Sequence, residues 1–109
     1  MENERRNDRL LHALGLCAKA RRLVVGTSMI CEALRGKSKP FLVIAAGDNA
    51  ENTQKKLTDK CAFYHVPLVA LALSGETLGD AVGKHTKVAA VAITDEQLCR
   101  LVEKTIEKD

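Results

Sequence analysis

The chain has 109 residues, of which 46% are hydrophobic and 28% are charged, and its net charge is +3. These values predict one globular domain over residues 1–109 that can bury a core without disulfides or metals. They exclude a helical membrane protein, because no apolar run approaches the eighteen or more residues of a span. The charged N-terminus is also unlike a secretory signal, so we expect a cytoplasmic protein in which residues 1–6 are flexible.

The first half of the chain alternates between predicted helices and strands. Apolar residues recur every three or four positions from about Asn7 to Ala20, which predicts an amphipathic helix. Leu23–Val25 is a short apolar strand, and Gly26 separates it from a second helix over about Thr27–Leu34. After a Gly-Lys-Ser-Lys-Pro loop, the continuous apolar run Phe41–Ala46 is typical of a strand that is covered on both faces.

The second half continues the alternation. We expect a third helix over about Glu51–Tyr64, a second buried strand over Val66–Leu73, and a short helix that begins at a Ser-Gly-Glu-Thr sequence. A third buried strand over Val88–Ile93 precedes a final helix that starts after Thr94 or Asp95. Helices that alternate with apolar strands place the chain in the α/β class and predict a three-layer α/β/α sandwich with a small mixed sheet.

Residues that could carry catalysis or bind a metal are scattered. The four cysteines form no CxxC pair or Cys/His cluster, and each falls among apolar residues, so we expect buried, reduced thiols at Cys17, Cys31, Cys61 and Cys99. The three histidines are isolated, and the glycines after the third predicted strand do not have the GxGxxG spacing of a dinucleotide site. We therefore expect no catalytic residues, no metal and no cofactor.

Positive charge is concentrated around the start of the second helix. Ten basic and four acidic residues lie between Arg9 and Lys60, a balance of +6. A helix start leaves backbone N–H groups unpaired and carries partial positive charge, so it can receive a phosphate. The segment Lys19–Lys39 therefore suggests a face that binds a polyanion, although a solvated helix cap beside ordinary surface lysines would give the same pattern.

Several motifs in order along the chain point to a family. They are Gly26-Thr27 at a helix start, Leu42–Asp48 leading into Glu51–Lys56, then Val66-Pro67, Leu78–Lys84 and Val88–Ile93. In this order and at this spacing they resemble the L7Ae/L30e family of ribosomal, kink-turn-binding proteins. The opening from Leu14 to Gly26 and the Asn-Thr-Gln-Lys-Lys run resemble its bacterial YlxQ-type branch most.

The resemblance implies a non-catalytic, ribosomal-type protein that binds a sharply bent RNA with tandem sheared G·A pairs. The start of the second helix would enter the widened groove, and the loop before the fourth helix would cover extruded nucleotides. Carried over by position, these surfaces comprise Gly26, Thr27, Ser28, Met29 and Glu32, and Leu71, Ala72, Leu73, Ser74 and Gly75. We add Lys37 and Lys39 as phosphate contacts. With two Phe, one Tyr and no Trp, we expect backbone, shape and polar contacts rather than aromatic platforms.

The expected partner is a structured RNA, either ribosomal RNA or another kink-turn RNA, bound by a monomer that associates with the ribosome. The chain departs from the family pattern, because Ser28, Met29 and Glu32 stand where other members carry Asn, Glu and Lys. One alternative is therefore a protein-interaction module that kept the fold and lost kink-turn specificity. A weaker alternative is a small enzyme in which Asp48 and Ser74 converge at the carboxyl ends of the strands.

Overall fold

The computed structural model describes the backbone of residues 2–107 and the side chains of residues 7–106. Five helices and four strands alternate along it. In chain order they are α1 (Glu2–Lys19), β1 (Leu23–Val25), α2 (Thr27–Arg35), β2 (Leu42–Ala45), α3 (Glu51–Phe63), β3 (Leu68–Ala70), α4 (Gly75–Ala81), β4 (Ala90–Ile93) and α5 (Glu96–Glu107).

The four strands form one mixed sheet in the order β1-β4-β2-β3. β4 is antiparallel to both of its neighbours, with Ala92 opposite Val24 of β1 and opposite Val43 of β2. β2 and β3 are parallel, with Ile44 opposite Val69. Strands β1, β2 and β3 therefore all run in the same direction, which brings the loops that follow them to the same end of the sheet.

Helices cover both faces of the sheet. Alternate residues of β2 point to opposite faces, so Leu42 and Ile44 pack in a core with α1, α4 and α5, while Val43 and Ala45 pack against α2 and α3. β2 and β4 are fully buried, as their continuous apolar runs predicted. The predicted three-layer α/β/α sandwich with a small mixed sheet is confirmed.

The buried strand expected over Val66–Leu73 differs from the observed one. β3 covers only Leu68–Ala70, its first two residues are half-buried, and Ala70 is exposed. The reason is its position, since β3 lies at the edge of the sheet and pairs with β2 alone. The apolar run therefore predicted a strand correctly, but the prediction that this strand is buried was wrong.

The cysteines are packing residues. All four are buried and none forms a disulfide, as the sequence predicted. Burial raises the pKa of Cys61 to about 11, with a smaller contribution from nearby Cys31, and burial likewise raises the pKa of Cys99 to about 11. These two thiols are therefore protonated at neutral pH and serve as small apolar side chains.

No helix in the described part of the chain is both long and apolar enough to span a bilayer. The extent of the domain and the flexibility of residues 1–6 stay predictions, since Met1 and the side chains of residues 2–6 lie outside what the structure describes.

Candidate nucleic-acid interface

The loops that follow β1, β2 and β3 meet at one end of the sheet, together with the segment that enters β4. We call this region the α2-start end and define it as residues 26–29, 47–50, 71–75 and 87–89. Backbone hydrogen bonds join its parts: the Gly26 N–H donates to the Ala90 carbonyl (3.0 Å), and the Gly47 N–H donates to the Leu73 carbonyl (2.7 Å). The two surfaces taken from the family resemblance therefore lie at the same end of the domain.

The start of α2 offers unpaired backbone donors. Gly26 precedes the helix with φ +96°, a conformation that favours glycine. Its carbonyl accepts from the Ile30 N–H (3.0 Å), while within the described residues no side chain caps the helix. Because the first N–H groups of a helix have no partner inside it, those of Thr27 and Ser28 are available to an acceptor from outside.

Beside these donors, the first turns of α2 expose the three positions at which the sequence departs from the family pattern. Ser28 and Glu32 are four residues apart and exposed, and the Met29 side chain is 55% exposed. This part of the helix therefore presents a hydroxyl, a thioether and a carboxylate instead of a continuous positive surface.

The second predicted surface is largely occupied by its own hydrogen bonds. The Ser74 hydroxyl accepts from the Thr77 N–H (3.0 Å) and caps α4. The Gly75 N–H donates to Asp48 Oδ1 (2.8 Å), and Gly75 itself is buried. Of the predicted residues in this loop, Leu73 is half-buried and its neighbour Ala72 is exposed. Contact with RNA here would thus use the apolar part of the loop.

Asp48 holds two segments of this end together. Its Oδ1 atom accepts from the Gly75 N–H (2.8 Å), and its Oδ2 atom lies 3.7 Å from Lys87 Nζ. The Lys87 side chain is 64% exposed, so this ion pair is weak and the ammonium group is accessible to solvent. Sequence reasoning missed Lys87, because nothing near it in the chain shows that the segment entering β4 returns to the loop after β2.

Asn49 was also missed, although it follows a buried strand in a Gly-Asp-Asn turn. Its Nδ2 atom lies 3.0 Å from the Ala89 carbonyl, 3.2 Å from the Ala46 carbonyl and 3.2 Å from Gln54 Oε1. These contacts fix the start of α3 against the segment entering β4, between the two predicted surfaces. The Asn49 side chain therefore serves to position the interface.

Lys37 and Lys39 are not brought to this end. They follow α2, whose nine residues place its ends about 13 Å apart, and they lead into the amino end of β2. Lys19, Arg21 and Arg22 precede β1, at its amino end, for the same reason. The cations that surround the α2 start in the sequence thus lie at the opposite end of the sheet. Among the described residues, Lys87 is the cation that a contact with Asp48 places at the α2-start end, whereas Lys84 lines a depression with Arg21.

An open depression of about 340 Å³ is lined by Gly47, Asp48 and residues 71–74. Asp48 and Ser74 do meet there, as the enzyme alternative required. However, both Asp48 oxygens and the Ser74 hydroxyl are already engaged by neighbouring groups. Among the described side chains of residues 7–106, histidine, cysteine and acidic groups form no group of three that could hold a metal.

Two relatives resemble the chain over most of its length. The RNA-binding protein YlxQ of Bacillus subtilis is 39% identical over 83 residues, which cover 76% of this chain and 80% of the relative. The RNA-binding protein YlxQ of Enterococcus faecium is 30% identical over 105 residues, which cover 96% and 98% respectively. These relatives support the YlxQ-type branch of the resemblance, and they belong to a non-enzymatic family, as expected.

A solved structure of a Bacillus halodurans protein of unknown function superimposes with a TM-score of 0.82 at 32% identity, covering 92% of this chain and 98% of that one. The model of the ribosomal protein L7Ae/L30e/S12e/Gadd45 family matches residues 8–102, which include every strand, all of α2, α3 and α4, and parts of α1 and α5. The chain therefore belongs to the L7Ae/L30e/S12e/Gadd45 family.

Proposed function

We propose that this protein is a non-catalytic RNA-binding protein of ribosomal type that recognises a bent, kink-turn-like RNA through the α2-start end. One observation carries the proposal: the uncapped start of α2 and the loop before α4, which are far apart in the chain, lie at the same end of one sheet. The naming of two relatives as RNA-binding proteins supports the same class of ligand.

The chemistry of this end suits a phosphate backbone that is bent. Unpaired N–H groups at Thr27 and Ser28 can donate to any phosphate or base acceptor, and Lys87 supplies exposed positive charge at the same end. Leu73 and Ala72 supply apolar contact for a nucleotide that has left its stack. The protein thus offers donors for the backbone and a surface for an extruded base on the same end.

Recognition by this chain depends more on shape than on base edges. Ser28, Met29 and Glu32 replace side chains with which other family members contact guanines and phosphate, and a lost base-edge contact costs about 1–3 kcal/mol by analogy with DNA readout. The backbone donors are unaffected by these replacements. We therefore propose weaker sequence selection than the family pattern implies, with the bend itself as the main feature recognised.

The exposed Met29 favours one alternative function. A thioether that is 55% exposed at a helix start could contact an apolar protein partner, which would make the domain a protein-interaction module. A partner that stays bound after nuclease treatment would support this alternative. Loss of the partner on nuclease treatment would instead show that RNA bridges the two.

The test measures how tightly the protein binds a kink-turn RNA and, for comparison, a straight duplex of the same base composition, each at two salt concentrations. Wild-type protein should prefer the bent RNA, and its affinity should fall steeply with salt. Ser28→Asp should weaken binding about tenfold through repulsion of phosphate. The same change should leave the fold intact or slightly stabilise it, because a carboxylate in the first turn of a helix interacts favourably with the helix dipole.

Gln97→Asp is the matched control, since Gln97 is exposed and is likewise the second residue of its helix, α5. It should leave binding unchanged. Equal binding of bent and straight RNA, or equal effects of the two variants, would show that the α2-start end is not the interface.

We further propose that the bound RNA is ribosomal RNA or another kink-turn RNA, and that the protein acts in the cytoplasm, as a monomer that associates with the ribosome. Crosslinking in cells followed by sequencing of the bound fragments would identify the RNA. Sedimentation equilibrium would give the oligomeric state.

A further inference from the structure

The three aromatic residues of the chain lie together at the end of the sheet where β2 and β3 begin. They are Phe41, directly before β2, and Phe63 and Tyr64, at the end of α3. None is buried: Phe41 is 43% exposed, Phe63 is 73% exposed and Tyr64 is half-buried. The described core is instead built from aliphatic side chains and cysteine. Exposing large rings loses the free energy that their burial would provide, so folding alone does not explain their position.

Two of the rings, Phe63 and Tyr64, form a connected cluster with one lysine. Phe63 and Tyr64 meet edge to face, with centroids 4.8 Å apart at 87°. Lys39 Nζ lies 5.2 Å from the centroid of the Tyr64 ring and donates to the Gly36 carbonyl at 2.9 Å. The hydrogen bond to Gly36 holds the lysine over the ring. The contact between Lys39 and Tyr64 links the loop after α2 to the end of α3. We call Lys37–Phe41 and Lys60–His65 the aromatic end.

The aromatic end is positively charged. Lys37 and Lys39 are exposed, and Arg35 and Lys60 lie in the last turns of the two helices that end here. The acidic residues on those helices lie further from this end or are paired: Glu32 is one turn back on α2, and Asp59 binds Lys55 at 2.7 Å. On the other face of the sheet, Glu96 of α5 pairs with Arg100 and Asp95 caps that helix. The charge around the rings therefore favours a polyanion over an apolar partner or a basic surface.

We propose that the aromatic end is a second RNA contact, specific for an unpaired segment. Phe63 stacks on an exposed base, Tyr64 supports its ring from the side, and Lys37 and Lys39 bind the adjacent phosphates. Exposed rings beside cations are the combination that single-stranded nucleic acids require, since every base has a face for stacking and every linkage carries charge. This surface is distinct from the α2-start end, because α3, of 13 residues and about 20 Å, runs between the two.

The test is fluorescence anisotropy with a labelled, mixed-sequence, eight-nucleotide single-stranded RNA. Phe63→Ala should weaken binding about fivefold or more, the lower range for loss of one stacking contact. Phe63→Leu should weaken it similarly, because it keeps apolar area and loses the planar ring, whereas Phe63→Tyr should retain most of the affinity. Phe63 is mostly exposed, so these variants should fold like wild type. Leu101→Ala, at an apolar side chain on α5 that is 39% exposed, is the matched control and should not alter binding.

Kink-turn RNA that lacks single-stranded ends separates this proposal from the first one. Phe63→Ala should leave its binding unchanged, and Ser28→Asp should leave binding of the eight-nucleotide RNA unchanged. Absence of octamer binding by wild type, or equal binding by wild type and Phe63→Ala, would overturn the second contact. Retained octamer affinity in Phe63→Leu would also overturn it by showing that stacking is not involved. Self-association that is lost in Phe63→Ala without an effect on octamer binding would assign the rings to a dimer contact instead.

Discussion

The two ends of the sheet differ in chemistry, although we propose the same kind of polyanion as the partner of both. The α2-start end offers backbone N–H groups, a helix start without a side-chain cap and closely packed loops. The aromatic end offers exposed rings and long basic side chains. The first suits a folded RNA whose shape matches a fixed arrangement of donors, and the second suits an unpaired strand that can adapt to the rings. The difference suggests that the domain can distinguish structured from unstructured parts of one RNA.

Close packing at the α2-start end allows the most disruptive test of this comparison. A Cβ atom on Gly47 would lie 2.1 Å from the Leu71 carbonyl oxygen, so Gly47→Ala must push the loops after β2 and β3 apart. We expect a loss of about 1–3 kcal/mol in the free energy of unfolding, as for other overpacked sites, together with weaker binding of kink-turn RNA. Thermal denaturation and anisotropy would measure the two effects.

Gly36→Ala is the corresponding change at the other end. Its Cβ would lie 3.4 Å from the Ala33 carbonyl oxygen, at a backbone φ of −77° that any residue can adopt. This variant should be nearly as stable as wild type. If both variants lose stability equally, or if Gly47→Ala loses none, the loops of the α2-start end are not as rigid as the comparison requires.

The next largest effect should come from restoring the family pattern on α2. Replacing Ser28, Met29 and Glu32 by Asn, Glu and Lys adds base-edge contacts and reverses one charge, so affinity for kink-turn RNA should rise about tenfold or more. Binding of the single-stranded octamer should stay the same, because α2 begins at the far end of the domain. No gain in kink-turn affinity would mean that the start of α2 meets RNA in another geometry.

The contrast between the two ends also shows what could be predicted from the sequence. Runs such as Leu42–Ala45 and Ala90–Ile93 are apolar throughout, and their burial followed directly from that pattern. The order of the strands did not follow from it, because the pairing of β4 between β1 and β2 joins residues that are 45 to 70 positions apart. The edge position of β3, and hence its exposure, depends on the same long-range pairing.

The candidate site was only partly predictable, for a related reason. Gly26 and Thr27 were recognisable as a helix start, and the structure begins α2 there. Lys37 and Lys39 are near in sequence, yet a helix of nine residues carries the chain across the domain before they occur. Proximity in sequence therefore did not show which cations lie near the start of α2. Conversely, Asp48 and Lys87 are 39 residues apart in the chain, yet their side chains lie 3.7 Å apart. The sequence analysis expected no aromatic platforms because the chain has only three aromatic residues. A count does not show that all three lie at one end of the sheet.

The smallest expected effect separates the two ends by charge alone. Lys37→Glu with Lys39→Glu should lower affinity for the single-stranded octamer by a few fold and flatten its dependence on salt, since each lost phosphate contact reduces the slope by about 0.7. Kink-turn RNA without single-stranded ends should bind as before, because both lysines lie across the sheet from the α2 start.

The control compares two single variants, Lys37→Glu and Lys104→Glu on α5, which reverse the same charge at two exposed positions. If Lys104→Glu has an equal effect, the response reflects net charge rather than a localised contact; if kink-turn binding falls instead, the RNA extends along α2 and the two ends act as one surface.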